Sequence, residues 1–178
     1  MTRGRAQSRL GRHLEAAEDF TRALAECDEG HSPHRPYEPE YFLERARALV
    51  AAGPQHVEQA VRGLDEGIRV LGPIVSLQLP AIDLELELGR YDAALARLDT
   101  IAARAQRREG WLARRAAILE RTGRVDEARA ACDEGLAAIA KLPPARRAVP
   151  AIRELEEQLR ATLGRLSPKP LDRPACGP

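Results

Sequence analysis

Three segments of the chain share one pattern without gaps: Gly11-Arg12-His13-Leu14-Glu15-Ala16, Gly89-Arg90-Tyr91-Asp92-Ala93-Ala94 and Gly123-Arg124-Val125-Asp126-Glu127-Ala128. Each reads Gly-Arg, three residues, Ala. A looser copy runs from Gly53 to Ala60 with Pro54-Gln55 inserted, and the four glycines are spaced by 42, 36 and 34 residues. A recurrence settling near 34 residues requires one supersecondary unit copied along the chain, each copy burying its apolar face against its neighbours.

Both sides of each turn carry apolar or small residues at helical spacing. After the turns come Ala16, Phe20, Ala23 and Leu24, then Ala94, Leu98 and Ile101, then Ala128, Cys132, Gly135 and Leu136. Before them come Phe42, Ala46 and Leu49, then Leu77, Ala81, Leu84 and Leu88, then Leu112, Ala116 and Leu119. Residues at i, i+3/4 and i+7 form one face of an amphipathic helix. Aromatics make up only 3% of the chain, which favours helices packed through small and aliphatic side chains over a β-sandwich.

On these residues the chain resembles the tetratricopeptide repeat family, over roughly residues 8–141. In that family Gly or Asn closes the first helix and Ala opens the second. An aromatic or large apolar residue follows one turn later, and a small one three positions after that. Ala16, Phe20 and Ala23 match all three positions, whereas Leu98 and Cys132 replace the aromatic and Ile101 replaces a small residue. Small residues belong there because paired helices approach to about 8–10 Å. The resemblance implies an all-α fold: an α-solenoid of antiparallel helical hairpins forming a right-handed superhelix, closed by a C-terminal capping helix.

Along the chain this gives a partial N-terminal repeat over residues 1–30, a Pro-rich connector over 31–39 and three hairpins over 40–141. A capping helix over 142–166 and a disordered tail over 167–178 follow. The first unit has ten residues before Gly11, too few for a complete first helix, so the chain reads as beginning with a stub or within a longer protein. Pro33, Pro36 and Pro39 block helix in the connector. The alternation of Val75, Leu77, Leu79 and Ile82, Leu84, Leu86 reads partly as strand, and Pro80 predicts a bend, but the stripe Leu77, Ala81, Leu84, Leu88 predicts helix. One helix is expected from about 145 to 163, its apolar face being Ala148, Ile152, Leu155, Leu159 and Leu163.

Charged residues reach 31% yet nearly cancel, to a net +1, which speaks against a nucleic-acid partner. Arg3, Arg5, Arg9 and Arg12 form a local basic run, expected to be a solvated helix start. The apolar stretches fall far short of a membrane span, and no apolar run follows Met1 as a secretory signal would require. Three cysteines without paired spacing predict free thiols in a reducing, cytoplasmic setting.

Catalytic chemistry finds no residues to stand on. No phosphate-binding glycine loop, nucleophile elbow or His-Glu zinc helix is present, and no cofactor is expected. Asp83, Glu85 and Glu87 alternate along a helix and make a poor acid–base pair. Cys27, His31 and His34 loosely resemble a zinc set, but they lie in a Pro-broken segment without a fourth ligand, so a surface loop is expected and no metal. Cys132 reads as a small inward-facing hydrophobe.

The resemblance implies a protein-binding function through a concave groove lined by the first helix of each unit. Its outward positions include Leu43, Glu44, Arg47, Leu79, Asp83, Leu86 and Glu87, then Ala113, Arg114, Glu120 and Arg121. Of these, Glu44, Arg47, Asp83, Glu87, Arg114 and Arg121 are the candidate partner-binding residues. The basic, Asn-rich clamp that chaperone-tail binders of the family use for a C-terminal carboxylate is not supported here, since no Lys or Asn stands at these positions. Mixed charge with interspersed Leu predicts a helical or extended peptide partner. An alternative is self-association, with an open apolar end at Leu10, Leu14 and Phe20 packing on a second chain or a further domain.

Overall fold

The computed structural model describes residues 2–28 and 38–166, and among these every regular element is helical. The chain divides into two compact units, Met1–Ala103 and Arg104–Pro178. The first holds α1 (Thr2–Arg9), α2 (His13–Asp28), α3 (Pro39–Ala52), α4 (Val57–Leu71), α5 (Val75–Glu87) and α6 (Tyr91–Ala102). The second holds α7 (Glu109–Arg121), α8 (Val125–Ala140), the single turn α9 (Pro144–Arg147) and α10 (Pro150–Leu166).

The repeated hexapeptide is a helix stop and a helix start in one. Gly11, Gly89 and Gly123 sit at φ of 75°, 71° and 70°, left-handed conformations that cost other L-residues energy. The next amide folds back across the turn: Arg12 N–H donates to Gln7 O at 3.0 Å, Arg90 N–H to Glu85 O at 2.8 Å and Arg124 N–H to Leu119 O at 3.0 Å. That is the six-to-one bond of a Schellman cap. The carbonyl of the same Arg then accepts the first bond of the next helix, from Ala16, Ala94 and Ala128 N–H respectively. Gly53 departs from the pattern: its φ is 132°, and the inserted Pro54-Gln55-His56 forms one 3₁₀ turn.

Within the first unit α1 packs on α2, α2 on α3, α3 on α4, α4 on α5 and α5 on α6, and α3 also touches α5. The core runs through Phe20, Phe42, Leu64, Leu77 and Ile82, all but sealed from solvent. Each such side chain contributes about 1.5–3 kcal/mol on burial. Phe20 is covered by α1, whose Gly4 would place a Cβ only 2.9 Å from the ring, so the expected open apolar end is reduced to Leu10 and Leu14. In the second unit α7 and α8 form the hairpin, and α10 packs on both. Gly135 of α8 is the crossing point, where a Cβ would lie 2.9 Å from Leu159 of α10 and 3.5 Å from Leu112 of α7. Cys132, one turn earlier, is sealed in this core, and burial pushes its thiol pKa up, as befits a small hydrophobe.

Pro80 lies inside α5, so the segment is helix as its stripe predicts, while two other expectations are corrected. Proline at 80 removes the donor that would serve the carbonyl of Ser76, four residues earlier, and Ser76 is exposed. α5 is buried over a broad face that takes in Leu77, Gln78, Ala81, Ile82, Leu84 and Glu85. Pro39 starts α3 as its first helical residue rather than blocking helix. The helix expected over 145–163 is broken: Pro150 disfavours helical backbone at Val149, so α9 ends at Arg147 and α10 begins at Pro150. Ala148 is consequently exposed, while Gly164-Arg165, which echoes the repeat turn, stays helical within α10. The tail over 167–178 and connector residues 31–37 lie outside the described residues.

Candidate interaction site

In the first unit α3 and α5 run side by side, and their outer faces carry the expected residues. Arg47, Asp83 and Glu87 are exposed, and Leu43, Leu79 and Leu86 are half-buried. Glu44 differs. Its carboxylate accepts from Arg5 Nε of α1 at 3.3 Å and lies 3.8 Å from Arg47 Nη1, so it ties α1 to α3. In the second unit Arg121 is exposed at the end of α7 and Arg114 is half-buried. Ala113, expected to face outward, is buried instead, and Glu120 is held by Arg165 of α10 at 2.7 and 2.9 Å. The bidentate bond from Arg165 pulls the Glu120 carboxyl below the usual carboxylate range, against a smaller opposing effect of burial. The capping helix thus covers part of the face that α7 was expected to present.

Two further cations, one buried and one partly buried, are not singled out by helical periodicity. Arg45 of α3, only 7% exposed, donates to the carbonyl of Gly63 at 3.1 Å and to Glu66 Oε2 at 2.5 Å, and stacks over Phe42 at 5.6 Å from the ring centre. Gly63 makes room for it, since a Cβ there would meet the guanidinium at 3.1 Å. Arg97 of α6 pairs with Asp65 of α4 at 2.7 Å and with the buried Glu85 of α5 at 2.9 Å, joining three helices. Burial works against the Arg97 charge, but hydrogen bonds to Asp65 and Glu85 outweigh it and raise its pKa. Glu85 is therefore a structural ion rather than the solvated edge of a stripe. For Arg45 the signal present in the sequence is Gly63, standing inside α4 where an ordinary helix former would be expected.

Of the loose zinc-like set, Cys27, His31 and His34 lie outside the described side chains. Among the described residues no group of three His, Cys, Asp or Glu side chains is placed to hold a metal ion. No helix among them is long and apolar enough to cross a membrane.

No protein-family model matches the chain, and no curated protein sequence matches it. Solved structures do. A thermophilic tetratricopeptide repeat protein of Thermus thermophilus, TTC0263, is 22% identical with a TM-score of 0.55, over 90% of this chain and 77% of its own. The nearly identical repeats of a putative kinesin light chain from Podosopora anserina are 20% identical with a TM-score of 0.54, over 93% and 94% of the two chains. A MamA structure from MSR-1 is 18% identical with a TM-score of 0.51, over 93% and 95%. At these identities the likeness speaks of architecture alone, and the architecture of the chain is that of the tetratricopeptide repeat.

Proposed function

We propose that the chain is a non-catalytic protein-interaction module that holds a peptide or helix of another protein against the outer face of α3 and α5. The observation that carries this reading is the composition of that face. On α3 the half-covered Leu43 stands one helical turn from the exposed Arg47, and on α5 the half-covered Leu79 and Leu86 stand one turn either side of the exposed Asp83. An amphipathic segment satisfies both kinds of contact at once, its apolar side on the leucines and its charges on the rim. The likeness to repeat structures supports the same reading, because stacked hairpins present extended binding surfaces. Glu44 serves the reading indirectly by fixing α1 to α3, while Arg114 and Arg121 offer a contact on the second unit.

Affinity capture from the native host tests it, with the wild-type chain against Arg47→Glu with Glu87→Arg, and separately against Arg114→Glu with Arg121→Glu. A protein retained by the wild type and lost from the first variant, with helical content unchanged, supports the α3–α5 face. Equal capture by both variants overturns it. Loss from the second variant alone moves the contact to α7.

A further inference from the structure

The outer side of α2 carries a second surface, separate from the α3–α5 face. Leu14, Glu18, Thr21, Arg22 and Ala25 recur at i, i+4, i+7, i+8 and i+11, so they form one stripe along the helix. All five are exposed, and Leu14 keeps 47% of its surface open. They line a groove of about 480 Å³ with Ala17 and Leu49 at its floor. Leu14 also borders a second groove, of about 330 Å³, against Ala51 and Ala52 of α3. Small side chains at 17, 21 and 25 let another helix come close, and Leu14 gives it an apolar anchor.

The charges on this stripe are complementary to themselves. Two copies of α2 laid antiparallel about a two-fold axis near residue 20 bring Glu18 of each opposite Arg22 of the other, and bring the Leu14 end of each toward the Ala25 end of its partner. Within its own chain Arg22 lies 3.6 Å from Asp19, but Asp19 also takes Arg3 at 3.1 Å. Asp19 therefore keeps a cation when Arg22 turns to a partner. We propose that the chain associates with a second copy of itself through antiparallel pairing of the α2 outer faces, with reciprocal Glu18–Arg22 ion pairs. The stripe from Leu14 to Ala25 is only about 17 Å long at 1.5 Å per residue. A contact of that length buries less than a standard interface, so the dimer is weak and concentration-dependent.

Sedimentation velocity of the full chain from about 1 μM to about 1 mM reads this directly. The wild type moves from monomer to dimer across that range. Glu18→Arg alone and Arg22→Glu alone each place like charges opposite one another and weaken association by about tenfold. Mixing the two single variants restores it. In the mixed pair one copy carries cations at both positions and the other carries carboxylates at both, so each cation again faces a carboxylate. Only this pairing predicts rescue by mixing, and both residues are exposed on a helix, so circular dichroism of each variant stays that of the wild type. A monomer at every concentration, whether the groove is filled by the chain's own residues or by another protein, overturns the proposal. So does a dimer that neither charge reversal weakens, or one that mixing fails to restore.

Discussion

Gly67 of α4 lies directly against the ring of Phe42 on α3, so close that a Cβ at position 67 would sit 2.7 Å from Phe42 Cγ and 3.0 Å from Leu77 Cδ1 on α5. Three helices meet at this one missing side chain. Gly67→Ala therefore forces the phenyl ring out of its site and is expected to cost about 1–3 kcal/mol, as overpacking of a core does. Gly164→Ala in α10 meets nothing within 4 Å and is expected to stabilise by up to about 1 kcal/mol through helix propensity alone. Thermal unfolding followed by circular dichroism checks both, and a Gly67→Ala protein that melts at the wild-type temperature would show that the helices can part at no cost.

The turn glycines carry a different penalty, set by backbone rather than packing. Gly89 and Gly123 have positive φ and no atom within 4 Å of a would-be Cβ. Alanine at either position is expected to cost about 1–2 kcal/mol, the left-handed penalty of an L-residue. Asparagine, which tolerates that conformation better, is expected to cost less. The same unfolding measurement orders Gly above Asn above Ala at each turn; equal losses for Asn and Ala would contradict the backbone account.

These two kinds of glycine explain what is legible in the sequence. The turn motif is readable because its bonds are local: Gly, Arg and Ala answer one another within six residues, so the hexapeptide announces itself wherever it recurs. Gly67 belongs to the copy whose turn is distorted by Pro54-Gln55, and there the register from Ala60 through Leu64 to Gly67 is harder to see. Periodicity passes over Pro150, because the apolar stripe through Ile152, Leu155 and Leu159 reads smoothly across it. Glu85 and its partner Arg97 are illegible for a deeper reason. Periodicity assigns every charge to the solvent side, whereas a buried ion is decided by a partner many residues away. The candidate site suffers likewise, since the ties of Glu44 to Arg5 and of Glu120 to Arg165 are tertiary contacts.

The three-helix junction at Arg97 yields a prediction about asymmetry. Arg97→Leu leaves Glu85 buried with no cation and is expected to cost about 2–4 kcal/mol, near the value for breaking a buried pair from one side. Asp65→Asn removes a half-exposed carboxylate while Glu85 still holds the guanidinium, and is expected to cost less than about 1 kcal/mol. Removing both ions in Glu85→Leu with Arg97→Leu recovers part of the single loss, because neither charge is then stranded. A double-mutant cycle by chemical denaturation measures this, and strictly additive losses would mean the pair is not coupled.

The docking of α10 on α7 carries a pH dependence through Glu120. Its carboxyl pKa is lowered in the folded chain by the bond from Arg165. A group whose folded pKa lies below its unfolded value contributes stability that is present above the unfolded value and lost as the pH falls through the folded one. For Glu120 the contribution is therefore intact at neutral pH and fades as the pH falls through and below the ordinary carboxylate range. Other carboxylates titrate over the same range, so the informative quantity is the difference between the wild type and Glu120→Gln. That difference is expected to be largest near pH 7 and to shrink toward zero on acidification. Trp111, the sole tryptophan and a half-buried residue of α7, reports unfolding of the hairpin by its fluorescence. Amide hydrogen exchange in α10 reports release of the cap itself. An Arg165→Gln protein is expected to lose the same pH-dependent increment, because either change removes the bidentate bond that holds the Glu120 pKa down. A constant difference between the wild type and Glu120→Gln from pH 7 to pH 3 would show that the Arg165 bond contributes nothing to keeping the cap in place.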